Sequence, residues 1–369
     1  MDPLKQAFQE IKKEIDSLRD EIAELKNSLQ QPIFETRPRL KVLVTGGSGF
    51  IGTNFIEYLL TSPEIEQDIS VINLDNLTYA GQGKNIEHTG LDKEPNYKFI
   101  GGNISDKKFI EKIFRTEKPE IIFNFAAESH VDRSIESSED FILTNVVGTA
   151  NLLDASLKNN IKLFVQISTD EVYGSIKQGS FSEKDNLEPS SPYSSSKAGA
   201  ELVALSYAKT HNLPVIITRS ANNYGPYQFP EKILPLFITN LIDNKKVTLM
   251  WSDENPGLNV RDWLHVQDNC RAIWFLSQNG TPGEVYNISG EKEKTNIEMT
   301  NTLLTHFNYG EEMIEKIPHR KGHDFRYSIT NQKLTMLGFQ YQHQNLEQEI
   351  SQLIQWYQEN EDWWRPLKT

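Results

Sequence analysis

Cysteine is nearly missing: Cys270 stands alone among 369 residues, so no internal disulfide can form and a reducing compartment suits the chain. Long apolar runs are missing too, and the opening Met-Asp-Pro-Leu-Lys-Gln lacks the hydrophobic stretch of a secretory signal. The expectation is a soluble, cytoplasmic protein with no membrane partner. Positive charge is in deficit, with 38 Lys and Arg against 51 Asp and Glu, a net charge of -13 and a pI near 5.2. That balance argues against nucleic acid as a partner. An anionic small ligand stays open, because local Arg and Lys can hold phosphates against the overall sign. No metal is expected. The length allows a large core, two lobes and an appendage.

The appendage comes first. Leu4, Phe8, Ile11, Ile15, Leu18, Ile22, Leu25 and Leu29 alternate in steps of four and three, a heptad seam. With Phe8, Ile15, Ile22 and Leu29 at a, the d positions are Leu4, Ile11, Leu18 and Leu25. Glu14 and Glu21 then occupy g, opposite Arg19 and Lys26 at e' of a second helix. Residues 1–30 are expected as a coiled-coil-like helix that supports a homodimer or larger homo-oligomer; the alternative is one amphipathic helix on its own subunit. Residues 31–39, with Pro32 and Pro38, read as a linker.

From Leu40 a strand–helix rhythm predicts a doubly wound parallel α/β sheet over 40–225. The run Leu40–Thr45 reads as a buried strand, followed by Gly46-Gly-Ser-Gly49-Phe50-Ile51-Gly52 and a helix. Glycines at that spacing let backbone approach a pyrophosphate at a helix N-terminus. The second strand, Ser70–Asp75, ends in an acid that could accept from a ribose 2′-hydroxyl and would repel a 2′-phosphate, which favours NAD. A third strand and turn is read at Phe99–Asp106, a fourth at Ile121–Ala127, and a helix over about 140–158.

The chemistry concentrates after the strand Leu163–Ile167. Ser168-Thr169-Asp170-Glu171 puts a hydroxyl and two carboxyl groups at a strand end, where open α/β sheets bind ligands. Tyr193 and Lys197 stand four apart on the next helix, so the Lys ammonium is expected to favour the phenolate. Several acid–base groups in one place suggest more than one proton transfer. After residue 225 the rhythm breaks, and 226–369 is expected to be mostly a second lobe that supplies cations for a diphosphate, with a C-terminal helix. The terminal Trp residues are expected in packing.

The chain resembles the extended short-chain dehydrogenase/reductase superfamily and, within it, the dTDP-glucose 4,6-dehydratases. The carrying motifs are VTGGSGFIG at 44–52, NFAAESHVDRS at 124–134, STDEVYG at 168–174, YSSSK at 193–197, NNYGPYQFPEKILP at 222–235 and NVRDWLHVQD at 259–268. The resemblance implies a Rossmann fold and an NAD-dependent hydro-lyase of deoxysugar biosynthesis. It would convert a nucleotide-diphosphate hexose, dTDP-glucose or UDP-glucose, to the 4-keto-6-deoxy sugar. Alternatives are a 4-epimerase, which the acidic pair argues against, a UDP-N-acetylglucosamine 4,6-dehydratase, or a non-catalytic NAD-binding scaffold. Carried over by position, Tyr193 with Lys197 takes the C4 hydroxyl proton, Asp170 protonates the leaving C6 hydroxyl, Glu171 removes the C5 proton and Thr169 bonds near C4. Gly46, Gly49, Phe50, Ile51, Gly52, Asp75, Leu77, Thr78, Asn103, Ile104, Ala126, Ala127, Thr144, Tyr193, Lys197 and Asn223 match cofactor contacts. Ser129, Thr169, Asn222, Lys232, Arg261, Asn296 and Arg320 match nucleotide-sugar contacts. The heptad segment has no counterpart in the family pattern. Asn103 replaces an Asp, His319 replaces an Asp beside Arg320, and Met250–Gly257 is longer than usual, which leaves thymine or uracil open.

Overall fold

The computed structural model describes Lys5, residues 11–22, 39–79, Gly81, 83–320 and 322–368. It divides into two units, Met1–Arg39 and Leu40–Thr369. In the first, residues 11–22 are helical, and Ile11, Ile15, Leu18 and Ile22 are all exposed, as one half of the expected seam. Leu4, Phe8, Leu25, Leu29 and Lys26, and nearly all of the expected linker, lie outside the described residues.

The second unit is built on strands β1 (Leu40–Thr45), β2 (Ile69–Asp75), β3 (Tyr97–Gly101), β4 (Ile121–Asn124), β5 (Leu163–Thr169) and β6 (Val215–Ser220). Shorter strands follow: β7 (Asn222–Tyr224), β8 (Val247–Met250), β9 (Val260–His265), β10 (Val285–Ile288), β11 (Glu293–Thr295) and β12 (Ile314–Ile317). Seven form one sheet in the order β10-β6-β5-β4-β1-β2-β3, with every pairing parallel. The inner strands β1, β2, β4, β5 and β6 are buried along most of their length, while β3 at the sheet edge leaves Lys98, Phe99 and Gly101 exposed. β1 shows the division of the core. Val42 and Val44 pack with Phe55, Ile56, Ile273 and Trp274, while Leu43 between them packs with Ile110, Phe114, Leu152 and Leu153. Order reverses between β1 and β4, and that switch opens a crevice at the strand ends.

Beyond residue 225 the helix Val266–Asn279 returns the chain to β10, which pairs with β6 in the main sheet. One expectation needs correction. The helix expected over 140–158 begins at Glu139–Phe141, turns π-helical over Ile142–Gly148, and resumes at Thr149–Lys158. Such bulges often occur at functional sites, and Thr144 lies within this one.

The rest of the unit packs the helices Ile233–Ile242, Asn296–His306 and Leu346–Glu359 around a separate apolar cluster. The terminal Trp residues belong to it. Trp363 donates to Asn85 Oδ1 at 2.9 Å and Trp364 to the Tyr357 carbonyl at 2.7 Å. Among the described residues no helix is long and apolar enough to cross a membrane.

Candidate active site

The crevice starts where β1 runs into glycine. Gly46 has φ 68°, and a Cβ there would lie 2.6 Å from the Ala126 backbone nitrogen. At Gly52 a Cβ would meet the Gly46 carbonyl oxygen at 2.2 Å. Neither position admits a side chain, so backbone and ligand can come close. The helix Phe50–Thr61 begins at Gly49, which offers no side-chain cap, and its first turn carries no acid. Its free N–H groups and dipole therefore suit an anion. Asp75 closes β2 with both carboxylate oxygens engaged: Ser48 N–H donates to Oδ2 at 2.9 Å and Leu77 N–H to Oδ1 at 2.8 Å. Burial nevertheless raises its pKa.

One cleft gathers Gly46, Gly49, Phe50, Ile51, Gly52, Asp75, Thr78, Asn103, Ile104, Ala126, Ala127, Thr144, Tyr193 and Lys197, along with Ser129 and Lys232. Leu77 and Asn223 do not line it. Leu77 contributes its backbone N–H to Asp75 and leaves its side chain exposed; Asn223 donates to the Ala221 carbonyl at 3.0 Å. Asn103 spends its acceptor locally, taking the N–H and hydroxyl of Ser105, each at 2.9 Å.

Thr169, Asp170 and Glu171 lie just past the cleft lining, where β5 passes into a 3-10 turn. Thr169 Oγ1 accepts the Glu171 N–H at 3.3 Å and donates to Asp170 Oδ1 at 3.2 Å. Asp170 is 2% exposed, and its Oδ2 has no partner among the described residues. Burial, then the charges of Glu171 and Asp262, push Asp170 well above the carboxylate range. Burial raises Glu171 too, but Arg261, Lys232 and Arg320 pull it back. Two adjacent carboxyl groups are thus pushed apart, the more anionic one being Glu171.

Tyr193 and Lys197 sit on the helix Pro192–His211, started by a capping box between Ser191 and Ser194 and by Pro192. Lys197 is 4% exposed and donates to the Ile167 carbonyl at 2.7 Å, tying helix to strand end. Burial lowers its pKa to about 8, against the pull of Glu201. The expected lowering of the Tyr193 phenol is not seen. Burial, Glu171 and Asp170 raise its pKa, and only Thr169 offsets them. The helix spacing is as expected; the lysine's proton is spent on the Ile167 carbonyl instead. One turn on, Glu201 forms a buried pair with Arg219 at 2.7 Å, and Arg219 also reaches the Tyr173 hydroxyl at 2.6 Å.

Of the remaining expected residues, Arg261 and Arg320 lie near enough to Glu171 to act on its charge. Arg261 donates to the carbonyls of Val260 at 2.6 Å and Asp324 at 3.1 Å, and lies 4.3 Å over the Tyr327 ring. Arg320 pairs with Asp132 at 3.3 Å, and its buried Nε has no partner among the described residues. Asn222 has a buried, unpartnered Oδ1, and half-buried Asn296 opens a helix, its N–H on the Asn259 carbonyl. Sequence reasoning passed over Tyr79, Glu128 and Glu231, which also line the cleft. Their only signal was charge or an aromatic ring inside or beside the motifs. Elsewhere His265, His343 and Glu349 bring ligand-type atoms within 4.8 Å of one another. His265 Nδ1 already accepts the Gln267 N–H as a helix cap, so the one lone pair of a neutral imidazole is committed.

The family model described as GDP-mannose 4,6 dehydratase matches residues 43–348. The dTDP-glucose 4,6-dehydratase of Streptomyces antibioticus is 44% identical, over 89% of this chain and 96% of its own. The dTDP-glucose 4,6-dehydratase DesIV of Streptomyces venezuelae, crystallised with NAD and TYD bound, superposes with TM-score 0.84 at 44% identity over 89% of this chain and 100% of its own. The UDP-glucose 4-epimerase of Thermus thermophilus, in complex with NAD, gives 0.79 at 26% identity, over 87% and 100%.

The burial of Asp170 has a measurable consequence. A carboxyl group whose pKa is raised on folding holds its proton more tightly folded than unfolded, so stability falls as pH rises from the unfolded value of about 4. Asp170→Asn keeps the acceptor for Thr169 and removes the ionisation. It should match the wild type near pH 3 and be the more stable of the two at pH 7.5 in urea unfolding, the gap opening as pH rises above the unfolded value. Equal stability at both pH values would contradict the raised pKa.

Proposed function

The chain belongs to the GDP-mannose 4,6-dehydratase family, and on that footing we propose that it is an NAD-dependent hydro-lyase converting dTDP-glucose to the 4-keto-6-deoxy sugar. The observation that carries this reading is the acid pair of buried Asp170 and half-buried Glu171, both acting on Tyr193 beside the cleft. A plain 4-epimerase or a binding scaffold has no use for two desolvated carboxyl groups there.

The cradle at Gly46 and Gly52, the uncapped helix start at Gly49 and the carboxylate of Asp75 fit a dinucleotide: they suit backbone approach, a pyrophosphate and a ribose hydroxyl respectively. Bound there, NAD supplies the acceptor for the C4 hydride, the means of its return to C6, and a positive charge that favours ionisation of Tyr193. Tyr193 takes the C4 hydroxyl proton, and Lys197 holds the strand end in register. Asp170, kept neutral by burial, gives its proton to the departing C6 hydroxyl. Glu171, held more anionic by three nearby cations, removes the C5 proton that the 4-ketone has acidified. Thr169 orients both acids and bonds near C4. Lys232, Arg261 and Arg320 offset the diphosphate charge, while Ser129, Asn222 and Asn296 add hydrogen bonds.

A second copy of the chain is the partner this reading adds. Exposed Ile11, Ile15, Leu18 and Ile22 on residues 11–22 form a seam, with Glu14 and Glu21 placed against Arg19 of a facing helix. A second patch on the catalytic unit exposes Ile142, Leu143, Val147 and Leu202.

With dTDP-glucose, the purified protein should give a product lighter by one water in mass detection, with UDP-glucose and UDP-N-acetylglucosamine run in parallel to test the base. Asp170→Asn with Glu171→Gln should still show transient nicotinamide absorbance from C4 oxidation, while water loss falls by more than about 10². Normal dehydration by that double variant would overturn the assignment. Deleting residues 1–36 should lower the mass in light scattering and preserve activity per subunit. Each large apolar side chain left uncovered on a lone helix forgoes about 1.5–3 kcal/mol. An unchanged mass across dilution would show that the helix does not pair between chains.

A further inference from the structure

A carboxylate in the wall of a cleft suited to anions works against binding unless its charge is occupied. Glu231 is such a carboxylate, and all its partners come from other parts of the fold or from its neighbour. Tyr79, in the loop after β2, donates its hydroxyl to Glu231 Oε1 at 3.1 Å. His130, in the loop after β4, places Nε2 3.5 Å from Oε2. Lys232 holds its ammonium 3.5 Å from Oε1 and donates to the Ser129 carbonyl at 3.3 Å. The Tyr79 ring is itself fixed, with the Arg133 guanidinium 4.0 Å above it and Phe229 edge-on at 5.7 Å. Burial and the Glu231 charge keep its phenol protonated, so it stays a donor.

We infer that Glu231 is a latch: by joining Tyr79 and His130 it ties the segment before the helix Ile233–Ile242 to the loops after β2 and β4, and so retains a bound dinucleotide between turnovers. The inference rests on the proposed reading of the cleft as a dinucleotide site. Glu231 acts as a positioning residue, since its bonds run to protein groups and it takes no proton in the reaction. Retention matters for this chemistry, because a hydride taken from C4 must be given back to the same sugar. The latch also places Lys232, whose ammonium is shared between Glu231 and Ser129 and lies ready for a diphosphate.

The test measures dinucleotide release. Wild type, Tyr79→Phe, Glu231→Ala and the combined variant are loaded with NAD, and the rate of exchange against labelled NAD is followed, with thermal unfolding as a check on folding. Tyr79→Phe keeps the ring under Arg133 and against Phe229 and loses only the hydroxyl. It should speed release by about tenfold, the loss expected for one hydrogen bond to a charged acceptor. Glu231→Ala should speed it at least as much, and the combined variant should fall short of the product of the two single effects, because the two residues share a bond. Release at the wild-type rate in both single variants would overturn the latch while leaving the cleft reading intact. Failure of the wild type to bind NAD at all would remove the cleft reading, and the latch with it.

Discussion

Burial of Asp170, beside half-buried Glu171 and within the field of the Tyr193 phenol, is the constraint around which the site is arranged. Asp170 and Glu171 follow the end of one strand, Glu171 raises the pKa of Asp170, and both raise the phenol of Tyr193 on the next helix. Not all of them can carry charge at neutral pH without a large cost in free energy. Arg261, Lys232 and Arg320 act against the rise at Glu171, so Asp170 is the acid pushed further toward its neutral form. An elimination needs that division: one neutral acid and one base, held close together.

The fold supplies the rigidity this arrangement requires. β5 is buried along nearly all its length between β4 and β6, so the position of Thr169 is set by the sheet and not by a loop. The helix carrying Tyr193 is pinned to that strand at Lys197 and, a turn later, by Glu201 against Arg219 on β6. A buried pair of that kind adds little net stability, and breaking it by removing one partner typically costs about 3–5 kcal/mol. It fixes the helix against the sheet more than it strengthens either. On the other side of the switch point, the Gly46–Gly52 turn and Asp75 line the cleft proposed for the dinucleotide.

Features governed by local backbone were legible in the sequence. The glycine turn, the acid ending β2 and the four-residue step from Tyr193 to Lys197 each follow from local pattern, as does the strand from Leu163, which runs two residues beyond its expected end at Ile167. What was illegible depends on sums over distant groups. The raised phenol of Tyr193 comes from burial and from carboxylates on another element, and outweighs the nearby lysine the spacing suggested. Asn103 lines the cleft, and the bonds its side-chain oxygen accepts from Ser105 were not foreseen from the sequence. β10 returns to the main sheet through a short apolar run that carries no motif, and Tyr79 and Glu231 meet across 152 positions. No period or composition links residues so far apart.

The account depends most on Asp170 being a neutral acid at working pH. Infrared difference spectroscopy between the wild type and Asp170→Asn tests this directly, because a protonated carboxyl group has a carbonyl stretch that a carboxylate lacks. The account predicts such a band in the wild type at neutral pH, lost in the variant and bleached only on strong alkalisation. A difference spectrum showing only carboxylate bands at neutral pH would contradict it.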